Sequence, residues 1–175
     1  LAWADRPSGE GGCDAGPGTQ AIVDEALARA GVPEHILRSG IGVPLVAPTL
    51  AAFGTPDQRR RFLRPLFTGA EAWCQLFSEP NAGSDIASLS TRAVRTGTDW
   101  IVNGQKVWTS FAHVARWGIL CARTDPSVPK HEGLTYFVVD MQADGVEVRP
   151  LRQITGEAEF SEVFMTDVAV PDANR

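Results

Sequence analysis

The chain has 175 residues, 43% of them hydrophobic and 21% charged, with a formal net charge of −5. A chain of this size and composition buries about 70% of its unfolded surface without disulfides or metal, which excludes a disordered or coiled-coil protein. The acidic balance excludes an overall basic footprint for nucleic acid or anionic lipid.

In chain order, residues 5–18 read as a loop rich in Gly and Pro. Thr19 is placed to cap a helix running to about Ala30, whose apolar residues Ile22, Val23, Ala26, Leu27 and Ala30 form one stripe, with Gly31 at the left-handed C′ position. The apolar stretch from Gly40 to Gly54 is too short to span a membrane and is interrupted by Pro44 and Pro48. It predicts a buried helix that is kinked or starts late, over Val46 to Phe53. Thr55-Pro56-Asp57-Gln58 is a capping box with Pro at the first helical position, opening a helix that Gly69 closes. Arg59, Arg60, Arg61 and Arg64 on that helix read as a solvated face.

After Trp73 the period changes from helical to alternating. Strands are expected near 73–78, 89–96, 99–103, 105–110, 116–124, 134–141, 146–153 and 161–169. Asn103-Gly104 is the dipeptide of a type I′ hairpin turn, and Asp144-Gly145 is expected to join its flanking runs in the same way. The expected fold class is α+β: an N-terminal helical segment followed by an antiparallel β-barrel or sandwich.

The cysteines Cys13, Cys74 and Cys121 are far apart and contain no C-x-x-C, which predicts reduced thiols in a cytoplasmic protein. His35, His113 and His131 lack metal-ligand spacing, so no metal is expected. No signal-peptide pattern is present. Both ends, at Leu1 and Arg175, read as cut.

No phosphate loop, Rossmann fingerprint or nucleophile elbow occurs. Three segments remain as candidates. In Ser78-Glu79-Pro80-Asn81-Ala82-Gly83-Ser84-Asp85, Pro80 stiffens a turn, Gly83 lets backbone approach a ligand, and Ser84 adds a hydroxyl to an anion-binding concavity. The alternative is an ordinary strand-to-loop turn with Asp85 capping a helical turn. In Lys106-Val107-Trp108-Thr109-Ser110, Trp108 and Ser110 project from one face, as stacking area and hydrogen bond for a flat heteroaromatic ligand, or as a core Trp with a rim Ser. Glu157, Glu159 and Glu162 have the spacing of paired carboxylates but read as a solvated edge, and Lys130 and His131 as a surface loop.

WCQLFSEPNAGSDIASLSTRA (Trp73 to Ala93), DWIVNGQKVWTS (Asp99 to Ser110) and GEAEFSEVFMTDVAVPDANR (Gly156 to Arg175) together resemble the acyl-CoA dehydrogenase family. The helical segment through IGVPLVAPTLAAFGTPDQRRRFLRPLFTGAEAWCQ is similar to the last helices of that family's N-terminal domain. The wording of both motifs is similar to the actinobacterial branch that includes enzymes of steroid side-chain breakdown. The resemblance implies residues 1–71 as part of the N-terminal helical domain, 72–171 as the middle β domain, and 172–175 as the start of a linker to a C-terminal helical domain. It implies FAD as cofactor, an acyl-CoA thioester oxidised to the 2,3-enoyl-CoA, electron-transferring flavoprotein as acceptor, and a homo- or hetero-oligomer. By position it implies Gln75, Phe77 and Ser78 along the flavin ring, Gly83 and Ser84 at the diphosphate, Ser84 also at the acyl-CoA, and Trp108, Thr109 and Ser110 against the ring. Asn81 stands where the family has glycine, a change left-handed geometry would tolerate. The general base belongs to the C-terminal domain, no carboxylate of this chain matches it, and the chain alone is expected to be inactive. An acyl-CoA oxidase or flavin monooxygenase on the same scaffold, or a non-catalytic partner subunit, are the alternatives.

Overall fold

The structure, a computed structural model, describes residues 3–32 and 40–175, so His35 lies outside the described residues. The chain divides into two compact units, Leu1–Trp73 and Cys74–Arg175.

The first unit contains helices α1 (Thr19–Arg29), α2 (Ala47–Phe53) and α3 (Pro56–Thr68). Thr19 is not the cap of α1. Gly18, at φ 87°, takes that place, and the Thr19 hydroxyl donates back to the Gly16 carbonyl at 2.8 Å. The entry turn requires a left-handed residue, which glycine supplies without a Cβ penalty. Gly31 follows the helix at φ 69°. No residue of α1 is buried among the described residues: Val23 and Leu27 of its apolar stripe are half-buried and Ile22 is 69% exposed.

A π-helical turn over Gly42–Val46 leads into α2, so the Pro-interrupted stretch starts its α-helix late. The capping box of α3 is complete. Thr55 Oγ1 accepts from Gln58 N at 3.2 Å, and Gln58 Oε1 accepts from Thr55 N at 2.9 Å. Val46, Leu50, Phe62, Leu63 and Leu66 form the buried side of these helices, and Phe62 packs edge-on against Trp73 at 5.5 Å. Three of the four arginines of α3 are ion-paired: Arg59 with Glu10, Arg60 with Asp57, and Arg61 with Glu71.

The second unit is a seven-stranded sheet of β1 (Trp73–Leu76), β2 (Arg92–Thr96), β3 (Asp99–Ser110), β4 (Trp117–Arg123), β5 (Leu134–Asp140), β6 (Val146–Leu151) and β7 (Phe160–Pro171). Its order is β1-β4-β2-β3-β7-β6, with β5 on β4. The sheet is mixed rather than purely antiparallel, because β2 meets β4 in parallel at Arg92 and Arg123. Trp100 of β3 lies 5.4 Å from Phe137 of β5, although these strands are not sheet neighbours. The sheet therefore curls over a core of Leu76, Val102, Leu120, Phe137, Val139, Val163 and Val168.

Asn103-Gly104 is not a turn. The two strands expected around it are one, β3, and the hairpin turn is Gly97-Thr98, with Thr96 opposite Asp99 and Gly97 at φ 62°. Asn103 instead faces a bulge in β7, and a Cβ on Gly104 would come within 2.2 Å of Thr91 Oγ1. The glycine is there for close approach. Asp144-Gly145 ends a loop between β5 and β6, which do not pair with each other, so it is not a hairpin turn either. Gly145, at φ 87°, accepts from Thr166 N at 2.9 Å through its carbonyl.

Candidate functional site

Alternation along β3 turns Val102 and Lys106 inward, and both are completely buried. Lys106 Nζ donates to the carbonyls of Phe77 at 3.0 Å and Cys121 at 2.9 Å, and to Glu79 Oε1 at 3.0 Å. Glu79 in turn accepts from Thr91 N through Oε1 at 2.8 Å, and from Ser90 N and Ser90 Oγ through Oε2 at 2.7 Å each. Burial opposes charge on Glu79, but the Ser90 and Thr91 hydrogen bonds and the Lys106 ammonium outweigh it, leaving its pKa lowered to about 2. Burial draws the Lys106 pKa down, against the pull of Glu79. Both residues lie inside the two sequence motifs, where spacing alone assigns neither a role. The available signal was a lysine at the inward position of an alternating strand, which demands a buried partner.

This network brings the two candidate segments together, and Val107 N donates to the Ser78 carbonyl at 2.9 Å. Immediately after Lys106 the β3–β7 register slips: Lys106 faces Val163 and Thr109 faces Ser161, so Val107 and Trp108 share Glu162. The bulge restarts the alternation. Thr109 becomes buried, while Trp108, at φ 58°, stands 62% exposed, edge-on to Phe160 at 6.1 Å. Ser110 is half-buried opposite Phe160. The hydroxyls of Thr109 and its cross-strand neighbour Ser161 are buried without a hydrogen-bond partner.

On the other segment, Cys74 and Leu76 face the core, and Gln75 and Phe77 are half-buried on the opposite face. Phe77 packs edge-on to Tyr136 at 5.4 Å. The chain then turns through Pro80-Asn81, with Glu79 and Ala82 exchanging both backbone bonds. Asn81 does not take the left-handed geometry proposed for it; a positive φ is absent there. Gly83 and Ser84 lie exposed beyond the turn, and a Cβ on Gly83 would meet nothing within 4 Å. Among the described residues no contact requires a glycine at that place. Asp85 precedes a 3-10 turn (Ile86–Ser88) but makes no side-chain bond to its backbone N–H groups. It accepts from Ser88 Oγ and pairs with Lys130 Nζ at 2.7 Å.

Glu157 and Glu159 are exposed, and Glu162 accepts from Gln105 Nε2 at 2.9 Å, an arrangement that leaves no paired-carboxylate centre. Cys13, Cys74 and Cys121 are free thiols, and burial pushes the Cys74 pKa up to about 12. Among the described residues no cluster of His, Cys, Asp and Glu is placed to hold a metal ion, and no helix is long and apolar enough to cross a membrane.

Comparison with known proteins gives a consistent result over both units. The sequence model of the acyl-CoA dehydrogenase middle domain matches residues 74–168, and that of the acyl-CoA dehydrogenase N-terminal domain matches residues 3–70. Two curated relatives from Mycobacterium tuberculosis are acyl-CoA dehydrogenase FadE34, 53% identical over 95% of this chain and 22% of the relative, and acyl-CoA dehydrogenase IpdE1, 46% identical over 95% of this chain and 42% of the relative. The chain thus spans less than half the length of these relatives. Among solved structures, the ChsE4-ChsE5 complex from Mycobacterium tuberculosis matches 98% of this chain and 43% of its own, at 37% identity and a TM-score of 0.80. The Tcur3481-Tcur3483 steroid ACAD matches 97% and 43%, at 32% identity and a TM-score of 0.80. A glutaryl-CoA dehydrogenase from Mycobacterium smegmatis in complex with FADH2 matches 76% and 33%, at 27% identity and a TM-score of 0.68. With a bulged strand and a turn joined through Glu79 and Lys106, and with both sequence models matching in order, this chain belongs to the acyl-CoA dehydrogenase family.

Proposed function

We propose that the chain supplies part of the flavin site of an FAD-dependent acyl-CoA dehydrogenase. The observation that carries this reading is Trp108, an indole 62% exposed on left-handed backbone, next to the half-buried Ser110 and bonded through Val107 to the Ser78 strand end. The residues present fit such a group. The hydroxyls of Ser78, Ser84 and Ser110 make no hydrogen bond within the described residues, and Gly83 leaves the turn beside Ser84 open. In this reading Trp108 and Phe77 offer apolar surface to the ring system, Gln75, Ser78 and Ser110 offer hydrogen bonds to its polar edge, and Thr109 contributes backbone contacts. Gly83 and Ser84 receive the diphosphate, with Ser84 also close to the acyl-CoA. The relative solved with FADH2 supports the cofactor.

The chemistry supplied by that group is two-electron oxidation of an acyl-CoA thioester to the 2,3-enoyl-CoA, with loss of an α proton and a β hydride. Residues of this chain bind and orient, while the base that takes the α proton comes from a C-terminal helical domain outside residues 1–175. Residues 1–71 are then the end of the N-terminal domain, 72–171 the middle domain, and 172–175 the start of the linker. Alone the chain is inactive and retains FAD weakly, because half a cleft leaves most of the ligand wet. Similarity to a steroid ACAD and to a two-component complex supports a steroid-type acyl-CoA substrate and a hetero-oligomer. Electron-transferring flavoprotein is the acceptor in this reading.

The test is flavin absorbance per protein, measured on this chain and on the longer reading frame that contains it. The longer product should carry FAD, and Trp108→Ala with Ser84→Ala should reduce its retention. Unchanged retention, or tight stoichiometric FAD on the 175-residue chain alone, overturns the assignment. Oxygen consumption in the absence of an added acceptor identifies an oxidase instead.

A further inference from the structure

The loop Pro80–Leu89, which carries Gly83 and Ser84, is held at both ends by one carboxylate. Glu79 precedes the loop, and its oxygens accept the backbone N–H groups of Ser90 and Thr91 just after it, at 2.7 and 2.8 Å. The same carboxylate meets Lys106 Nζ at 3.0 Å, and Lys106 directly precedes the Val107–Trp108 bulge. The two side chains are 4% and 0% exposed. The ammonium uses its three protons on Glu79 and on the carbonyls of Phe77 and Cys121, joining β3 to the end of β1 and to β4. A buried ion pair is weak evidence for stability, since apolar residues of equal volume often do as well; its best-attested use is to fix register. An apolar pair could not hold the N–H groups of Ser90 and Thr91 and two strand carbonyls at once.

We propose that Glu79 and Lys106 form a clasp that closes the Gly83–Ser84 loop at its neck and fixes it relative to the Trp108–Ser110 bulge, making both of them positioning residues for the ligand bound between those segments. That the ligand is FAD rests on the function proposed above.

Amide hydrogen exchange on the wild-type chain, Glu79→Gln and the double variant Glu79→Gln with Lys106→Met tests the clasp. Both Glu79 oxygens face donors, so a glutamine must turn its NH2 toward one of them. The double variant leaves no unpaired buried charge and serves if the single one fails to fold. Exchange should rise roughly tenfold or more at the bonded N–H groups of Ser88, Leu89, Ser90 and Thr91 in the loop and of Val107 at the bulge, while β5 and β6 keep their protection. Uniform acceleration through all strands, or an unchanged loop, overturns the proposal. FAD titration into the longer chain separates it from the flavin reading. Local loosening without FAD uptake by any form refutes the flavin reading and leaves the clasp standing. Equal FAD affinity and an unshifted flavin absorption band in wild type and a loosened double variant overturn the positioning role.

Discussion

Asn103 and Asp167 hold one another across the β3–β7 pair: Asn103 Nδ2 donates to Asp167 Oδ1 at 2.9 Å, and Asp167 N donates to Asn103 Oδ1 at 3.0 Å. Asp167 sits at φ 52°, where β7 carries one residue more than β3. The reciprocal bonds satisfy a backbone N–H that the bulge removes from the ladder. Asn103→Ala should cost about 1 kcal/mol. Asp167→Val should cost more, because a β-branched residue is strained at positive φ, and Asp167→Asn should be nearly neutral. Urea denaturation of the three variants checks the ranking.

Gly104→Ala should be the more damaging change in this strand. The new methyl would lie 2.2 Å from Thr91 Oγ1 and 2.6 Å from Thr91 Cβ, and Thr91 is fully buried with its backbone N–H bonded to Glu79. Neither side has room to move, so a loss of about 3 kcal/mol is expected from overpacking. Thr91→Gly in the same chain should recover part of it, which a comparison of thermal midpoints would show.

Acid stability should depend on Glu79. Its folded pKa, about 2, lies below the ordinary value of 4.5. The stabilisation is therefore fully present above pH 4.5 and is lost as pH falls through about 2. The stability difference between wild type and Glu79→Gln should shrink by about 3 kcal/mol between pH 6 and pH 2. Denaturant midpoints across that range decide it; a difference independent of pH would place the charge of Glu79 outside acid unfolding.

In the helical unit, Thr55→Ala removes the acceptor for Gln58 N and should cost about 1 kcal/mol. Thr68→Ala, at the far end of α3, removes only a hydroxyl that bonds carbonyls of its own helix and should cost less than about 0.5 kcal/mol. Far-ultraviolet circular dichroism through a thermal melt distinguishes the two.

Thiol titration should find one fast group. Cys13 is exposed, whereas Cys74 and Cys121 are buried with pKa values raised by desolvation. A chromogenic disulfide reagent should react promptly with one thiol in the native chain and with all three in denaturant. Rapid reaction of Cys121 would mean that the strand carrying it, with the carbonyl that holds Lys106, opens easily.

The features legible from sequence are those decided within a few residues. Thr55, Pro56 and Gln58 specify the start of α3 because a capping box closes inside one helical turn. Alternation after Trp73 announced the strands because side-chain direction along a strand is set by the backbone itself, and the motif wording around Trp73–Ala93 and Asp99–Ser110 was sufficient for the family. What Asn103-Gly104 would do was not local. The same dipeptide serves a turn or a bulge, and here the choice belongs to Asp167, 64 positions away, and to the space beside Thr91. The parallel contact of β2 with β4 and the outward Trp108 also depend on which strands become neighbours. Lys106 and Glu79 could be read as polar residues in sequence. Only the fold, by burying them 27 positions apart within 3.0 Å, gave each the partner its charge requires.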